Sequence, residues 1–152
     1  MPRLKPRTKA DTPPPLIGWR ERVRLPELAV GRITAKIDTG ARSAALHAEN
    51  IQAFGHKVRF NVLVNGRHYH CERPIIGRRR VKSTSGHSET RLVIETDVKI
   101  GDHRFPIEVT LTDRTDMGVP MLLGRASIRG RFVVHPGRSF ILSRKKRKNK
   151  AS

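Results

Sequence analysis

Between Val58 and Cys71 the chain alternates apolar and polar residues, pauses at Asn65-Gly66, and alternates again, a pattern that specifies an antiparallel hairpin. Apolar side chains at every second position give each strand one buried face, and Asn-Gly supplies the two left-handed residues of the tightest hairpin turn. The pattern recurs along the chain. Arg20-Glu21-Arg22-Val23-Arg24-Leu25 alternates as far as Pro26, which ends a strand or confines it to an edge. Ile33 to Ile37 forms the next strand. Leu92 to Ile100, Gly101-Asp102 and Phe105 to Leu111 make a second hairpin. Met121-Leu122-Leu123 is continuously apolar, as in a strand buried on both faces. Phe132-Val133-Val134 and Phe140-Ile141-Leu142 supply the last strands. Ala41 to Ala48 fits a short strand or a helical turn equally well. No stretch carries long helical periodicity and no internal repeat is present, so the expected fold is all-β with one short helix near Ser127.

A chain of 152 residues suits one domain of ordinary size. Its formal net charge is +19, of which residues 1–16 contribute +3 and residues 143–152 contribute +6, leaving +10 on the body. Such a surface attracts polyanions. Basic charge combined with Pro13-Pro14-Pro15 predicts a disordered arm over 1–15, a folded domain over 16–142 and a disordered basic tail over 143–152. Cys71 is the one cysteine, which rules out an intrachain disulfide and fits a reducing compartment. The N-terminus lacks the apolar core of a secretion signal, and no stretch approaches the roughly 20 apolar residues that span a bilayer. The expected location is the cytoplasm, without membrane contact.

Two elements carry the candidate chemistry. Ile37-Asp38-Thr39-Gly40 follows the Ile33–Ile37 strand, so a carboxylate emerges where a strand ends in a tight turn. Val119-Pro120-Met121-Leu122-Leu123-Gly124-Arg125 is an apolar strand closed by glycine and followed by the short segment Ala126-Ser127-Ile128. Other chemistries find little support. No Gly-x-x-x-x-Gly-Lys-Ser/Thr phosphate loop occurs, and neither does the zinc-protease pattern His-Glu-x-x-His. His68 and His70 share one strand face while Cys71 points to the other, so the three do not converge on a metal, and no cofactor is expected. Cys71 reads as a small apolar filler, and His47 and His87 as structural or surface histidines. Asp113 and Asp116 sit in a polar turn.

Ile37-Asp38-Thr39-Gly40-Ala41-Arg42-Ser43-Ala44-Ala45-Leu46-His47-Ala48, Arg80 to His87, and Met121-Leu122-Leu123-Gly124-Arg125 together resemble the bacterial retropepsin-like family often labelled "ATP-dependent zinc protease". The similarity spans roughly residues 17 to 142. It implies a closed, barrel-like acid-protease fold with its short helix after Leu122-Leu123-Gly124. It also implies that Asp38 is the catalytic aspartate, with Thr39, Gly40 and Ala41 supporting its turn. The Gly77–Arg91 region becomes a flap whose substrate-facing residues are Arg80, Val81, Lys82, Ser83, Thr84, Ser85 and Gly86. Family members are often associated with an ATP-grasp glutamate ligase that acts on a ribosomal protein.

A lone carboxylate is acid or base at neutral pH but not both, whereas two about 3 Å apart share one proton and supply both roles. One Asp-Thr-Gly is present, so the second Asp38 must come from another copy, and a homodimer with its site on the two-fold axis follows. In this reading Gly40 takes up a backbone conformation closed to residues with a side chain, and the Thr39 hydroxyl braces the paired turns. The flap candidate is rich in arginine, which points to an acidic or glutamate-rich polypeptide substrate. The rival reading is a non-catalytic ribosome- or nucleic-acid-binding module that uses the basic tails.

Overall fold

The structure, a computed structural model, describes residues 12–82 and 86–144, apart from the side chain of Asp116. Most of the expected arm and tail, and Ser83, Thr84 and Ser85 of the expected flap, lie outside the described residues.

Among the described residues twelve strands form in chain order: β1 (Leu16–Gly18), β2 (Arg20–Leu25), β3 (Val30–Ile37), β4 (Ala44–His47), β5 (Glu49–Phe54), β6 (Lys57–Val64), β7 (Arg67–Pro74), β8 (Gly77–Lys82), β9 (Ser88–Ile100), β10 (His103–Thr112), β11 (Met121–Leu123) and β12 (Val133–His135). One short helix, α1 (Arg125–Ile128), follows β11. Strands β10, β4, β11, β3, β2 and β9 lie side by side in that order, and β9 pairs with β10 to close a six-stranded barrel. Strand β8 extends the sheet outward from β9. Strands β5, β6 and β7 form a separate sheet, and β1 pairs with β12 in parallel.

Both hairpins form where the alternation placed them. Asn65 and Gly66 have φ of 51° and 79°, the left-handed pair that the β6–β7 turn requires. Strand β2 stops at Leu25, and Pro26–Leu28 forms a single 3-10 turn. The ambiguous Ala41–Ala48 segment becomes a strand because β4 lies between β11 and β10 and bonds to both. The barrel core is built from Val23, Leu25, Ile33, Ala35, Leu46, Ile94, Val98, Val109, Met121 and Leu123, all buried. Val58, Phe60 and Val62 on the inward face of β6 join the same cluster, so the three-stranded sheet covers one side of the barrel. Among the described residues no helix is long and apolar enough to cross a membrane.

Two expectations differ from the structure. Strand β5 was not foreseen, because its exposed face carries little of the apolar signal that alternation provides. Phe140-Ile141-Leu142 is not a strand, since the backbone N–H groups of Ile141 and Leu142 turn to a single side chain rather than to a neighbouring ladder. That side chain is Glu21, fully buried on the inward face of β2. Its carboxylate accepts hydrogen bonds from the backbone N–H of Gly18 (2.6 Å), Ile141 (2.9 Å), Leu142 (3.3 Å) and Ser143 (2.9 Å), and from the Ser143 hydroxyl (2.6 Å). Phe140 takes a left-handed φ of 57° and donates its N–H to the Arg20 carbonyl (2.8 Å), which begins the turn toward Glu21.

Burial alone would raise the pKa of Glu21, but the bonds from Ser143, Gly18 and Ile141 outweigh it and hold the pKa below the ordinary 4.5. The unfolded chain therefore binds this proton more readily than the folded one. The contribution to stability is complete above the ordinary carboxylate range and is lost as pH falls through the folded-state pKa. Glu21→Gln places an amide among five donors and should lower stability at pH 7 by about 2–4 kcal/mol. Urea unfolding of wild type and variant from pH 7 to pH 3 should show the gap narrowing on acidification; a constant gap would mean that Glu21 is not the titrating group.

Candidate active site

Strand β11 is inserted between β3 and β4, parallel to the first and antiparallel to the second. The chain leaving β3 must therefore cross the end of β11 to reach β4, and residues 38–43 make that crossing. Asp38 stands at its start, half-buried, with its N–H bonded to the Leu123 carbonyl at 2.9 Å. Its Oδ1 accepts the Gly40 N–H at 3.0 Å, and the Ala41 N–H returns to the Asp38 carbonyl at 3.2 Å.

The crossing is held from below by the start of α1. Arg125 N–H donates to the Ala41 carbonyl (2.8 Å) and Ala126 N–H to that of Arg42 (2.9 Å), while the Arg125 guanidinium donates to the Thr39 carbonyl (2.9 Å). Gly124 makes this approach possible. A Cβ there would lie 2.5 Å from the Ser43 carbonyl oxygen and 2.8 Å from that of Ala41, both rigid backbone atoms. This explains why the apolar strand ends in glycine, a contact that spacing along the chain could not reveal.

The role expected of Gly40 needs correction. Its φ is not in the left-handed region, so conformational freedom is not what the turn demands. A Cβ at this position would instead stand 3.2 Å from Asp38 Oδ1, so the missing side chain keeps space beside the carboxylate.

Asp38 opens onto a cleft of about 730 Å³ lined also by Gly40, Ala41, Arg42, Ser43, Arg79, Arg80, Val81, Lys82, Arg91, Arg114 and Met117. The expected support residues Gly40 and Ala41 and the flap residues Arg80, Val81 and Lys82 are thus brought to the same cavity as Asp38. Thr39 is exposed and contributes its carbonyl to Arg125; Gly86 is exposed at the start of the return strand. Strands β8 and β9, in the region expected to be a flap, form a hairpin in register from Gly77↔Val93 to Lys82↔Ser88. The sequence reading missed Arg42, Arg114, Met117 and Thr110 as cleft residues; Arg42 follows the Asp-Thr-Gly-Ala run directly, which was the available signal. His47 is structural, with Nδ1 accepting the Arg114 N–H at 3.0 Å.

Two cleft cations are balanced. Arg91, almost fully buried, pairs with Glu89 at 2.9 Å, and Arg79 with Glu108 at 3.2 Å. Among the described residues no carboxylate pairs with Arg42, Arg80 or Lys82. His68 and His70 are exposed and Cys71 buried, on opposite strand faces as alternation predicts, and burial pushes the Cys71 thiol up to about 11.

A closed barrel that presents an Asp-Thr-Gly turn across a Leu-Leu-Gly strand, beneath a hairpin flap, has the retropepsin-like architecture. Residues 16–145 match the family described as RimB-like, retropepsin-like aspartic endopeptidase RimB, and the chain belongs to that family. A probable alpha-L-glutamate ligase of Shewanella pealeana is 38% identical over 138 residues, 86% of this chain and 30% of the ligase. One of Parasynechococcus marenigrum is 40% identical over 129 residues, 80% of this chain and 28% of the relative. The chain thus spans under a third of these relatives. A crystal structure of a Legionella pneumophila protein of unknown function superposes with a TM-score of 0.72 at 33% identity, covering 84% of this chain and 98% of that one.

Gly124→Ala should destabilise the protein by about 3 kcal/mol, because backbone on both sides must move. Thermal unfolding measures it, and a variant as stable as wild type would remove the close crossing as the reason for glycine.

Proposed function

We propose that the protein is an aspartic endopeptidase of glutamate-rich polypeptides, active as a homodimer that pairs two copies of Asp38. The observation that carries this reading is the cleft itself: among the described residues that line it Asp38 is the only carboxylate, and six cations surround it. A paired Asp38 from a second copy would share one proton with the first. The charged carboxylate would take a proton from water as its oxygen attacks the scissile carbonyl carbon, and the protonated one would donate to the carbonyl oxygen. Collapse of the resulting diol breaks the C–N bond: the leaving amine takes the proton held by the first carboxylate, and a diol hydroxyl returns its proton to the other, which regenerates the shared-proton pair.

The charge around Asp38 favours carboxylate side chains on either side of the scissile bond, with Arg42, Arg80 and Lys82 available to receive them. The name of the relatives, glutamate ligase, points to glutamate as the repeating unit of the substrate. Dimer formation draws support from the sheet beside the catalytic turn. Ile37 donates its N–H to the Trp19 carbonyl at 2.8 Å, and Trp19 follows β1 directly. In that sheet Leu16 is paired with Val133, and both are exposed, at 38% and 49%. Two adjacent apolar side chains on a narrow sheet with open edges form a natural contact for a second copy.

Asp38→Asn should leave the fold intact and reduce cleavage of a mixed peptide pool by at least about a thousandfold, read by mass spectrometry, with glutamate-rich members cleaved first by wild type. Cleavage that survives the substitution would refute the aspartic mechanism. Leu16→Asp combined with Val133→Asp should shift sedimentation from dimer to monomer and remove cleavage together with it. A monomeric wild type that cleaves would overturn the paired site.

A further inference from the structure

We propose that the end of the barrel remote from Asp38 carries a second anion site, a groove that binds the phosphate backbone of nucleic acid without reading its bases. The groove has a volume of about 260 Å³ and is lined by Arg22, Arg24, Arg32, Lys99, Arg144 and the short stretch Leu142–Ser143, together with the turn residue Gly101. It contains five cations and no acid. All five are exposed, and among the described residues none has a carboxylate partner.

Three neighbouring strands assemble the cluster. Arg22 and Arg24 are two residues apart on β2, so both point outward and their Cα atoms lie about 6.5 Å apart. Arg24 is directly paired with Lys99 of β9, and Arg32 comes from the adjoining strand β3. Arg22 is steadied by its guanidinium lying 4.5 Å from the centre of the Phe140 ring. The site is distinct from the catalytic cleft, with which it shares no lining residue. Along β3 six residues separate Arg32 from Asp38, a span of about 20 Å at 3.3 Å per residue.

Chemistry selects the occupant. The five charged side chains are donors only, and Ser143 is already committed to Glu21. A phosphodiester backbone brings acceptors only, at one full charge per nucleotide, and arginine forks bind its oxygens in pairs. A membrane surface would call for apolar anchors, and Leu142 is the only large apolar residue in the groove. Phe140 lies under Arg20 and Arg22, at 5.4 Å and 4.5 Å, so it is not free to stack on a base, and binding should be indifferent to sequence. In sequence the charge continues past Arg144 into Lys145-Lys146-Arg147-Lys148.

The test is fluorescence anisotropy of a labelled 20-nucleotide single-stranded RNA with the full chain at 50–200 mM salt, comparing wild type with Arg24→Ser/Arg32→Ser/Lys99→Ser. These side chains are exposed, so circular dichroism should show the variant folded. Removing three phosphate contacts should flatten the log–log salt slope by about 2, so the affinity lost between 50 and 200 mM salt becomes about 20-fold smaller. Peptide cleavage should be unchanged. An unaltered slope would assign binding to other basic segments and overturn the proposal. So would a loss of RNA binding in the cleft variant Arg80→Ser/Lys82→Ser with none in the triple variant. Binding of poly-L-glutamate or phosphatidylserine vesicles that the triple variant loses equally would replace nucleic acid with a general anion surface.

Discussion

A carboxylate without a cation beside it organises this molecule. Glu21 is buried under the N-terminal strands and satisfied by five donors, four of them backbone N–H groups of segments that are otherwise too short to hold themselves in place. Three come from consecutive residues, Ile141 to Ser143, and one from Gly18. Each of these N–H groups would need a partner on burial, and one side chain provides it for all of them. The segments they anchor carry functional weight, because the Gly18–Trp19 stretch supports Ile37, the residue before Asp38. A proton on Glu21 would therefore loosen the floor of the Asp38 turn as well as the chain around it.

The Asp38 turn follows the same logic at smaller scale. It crosses a strand end at a distance only glycine allows, and the first N–H groups of a four-residue helix donate to its carbonyls. Position, not side-chain reach, aims Asp38 into the cleft. The flap is built differently. It is the outward continuation of β9, a strand of 13 residues whose inner part seals the barrel and whose outer part, with β8, roofs the site. Ion pairs at Arg79 and Arg91 fix the base of that roof and leave Arg80 and Lys82 lining the cleft.

Much of this was legible in the chain, for reasons that particular residues make plain. Asn65-Gly66 and Gly101-Asp102 combine turn chemistry with alternation, and local rules suffice for both hairpins. The meeting of Asp38 with Leu123 is non-local, and a motif resemblance anticipated it where periodicity could not. Glu21 was the informative miss. It shares a strand face with Val23 and Leu25, so the alternation already placed a charge at an inward position, where only a dedicated set of donors could tolerate it. Phe140-Ile141-Leu142 failed as a strand for the same reason, since the N–H groups of Ile141 and Leu142 were already spoken for by that carboxylate. Strand β5 was hidden because propensity there is weak and pairing with β6 decides the outcome.

The pairing of β1 with β12 has a topological consequence. Leu16 lies beside Val133, and Gly18 and Leu142 meet on one carboxylate oxygen, so the chain enters and leaves the barrel at a single doorway. A unit whose two ends emerge together can be joined to another polypeptide without threading it or disturbing its closure. The relatives it matches are more than three times as long as the matched stretch, and a barrel whose ends lie together is suited to being carried within a longer chain with its cleft left open.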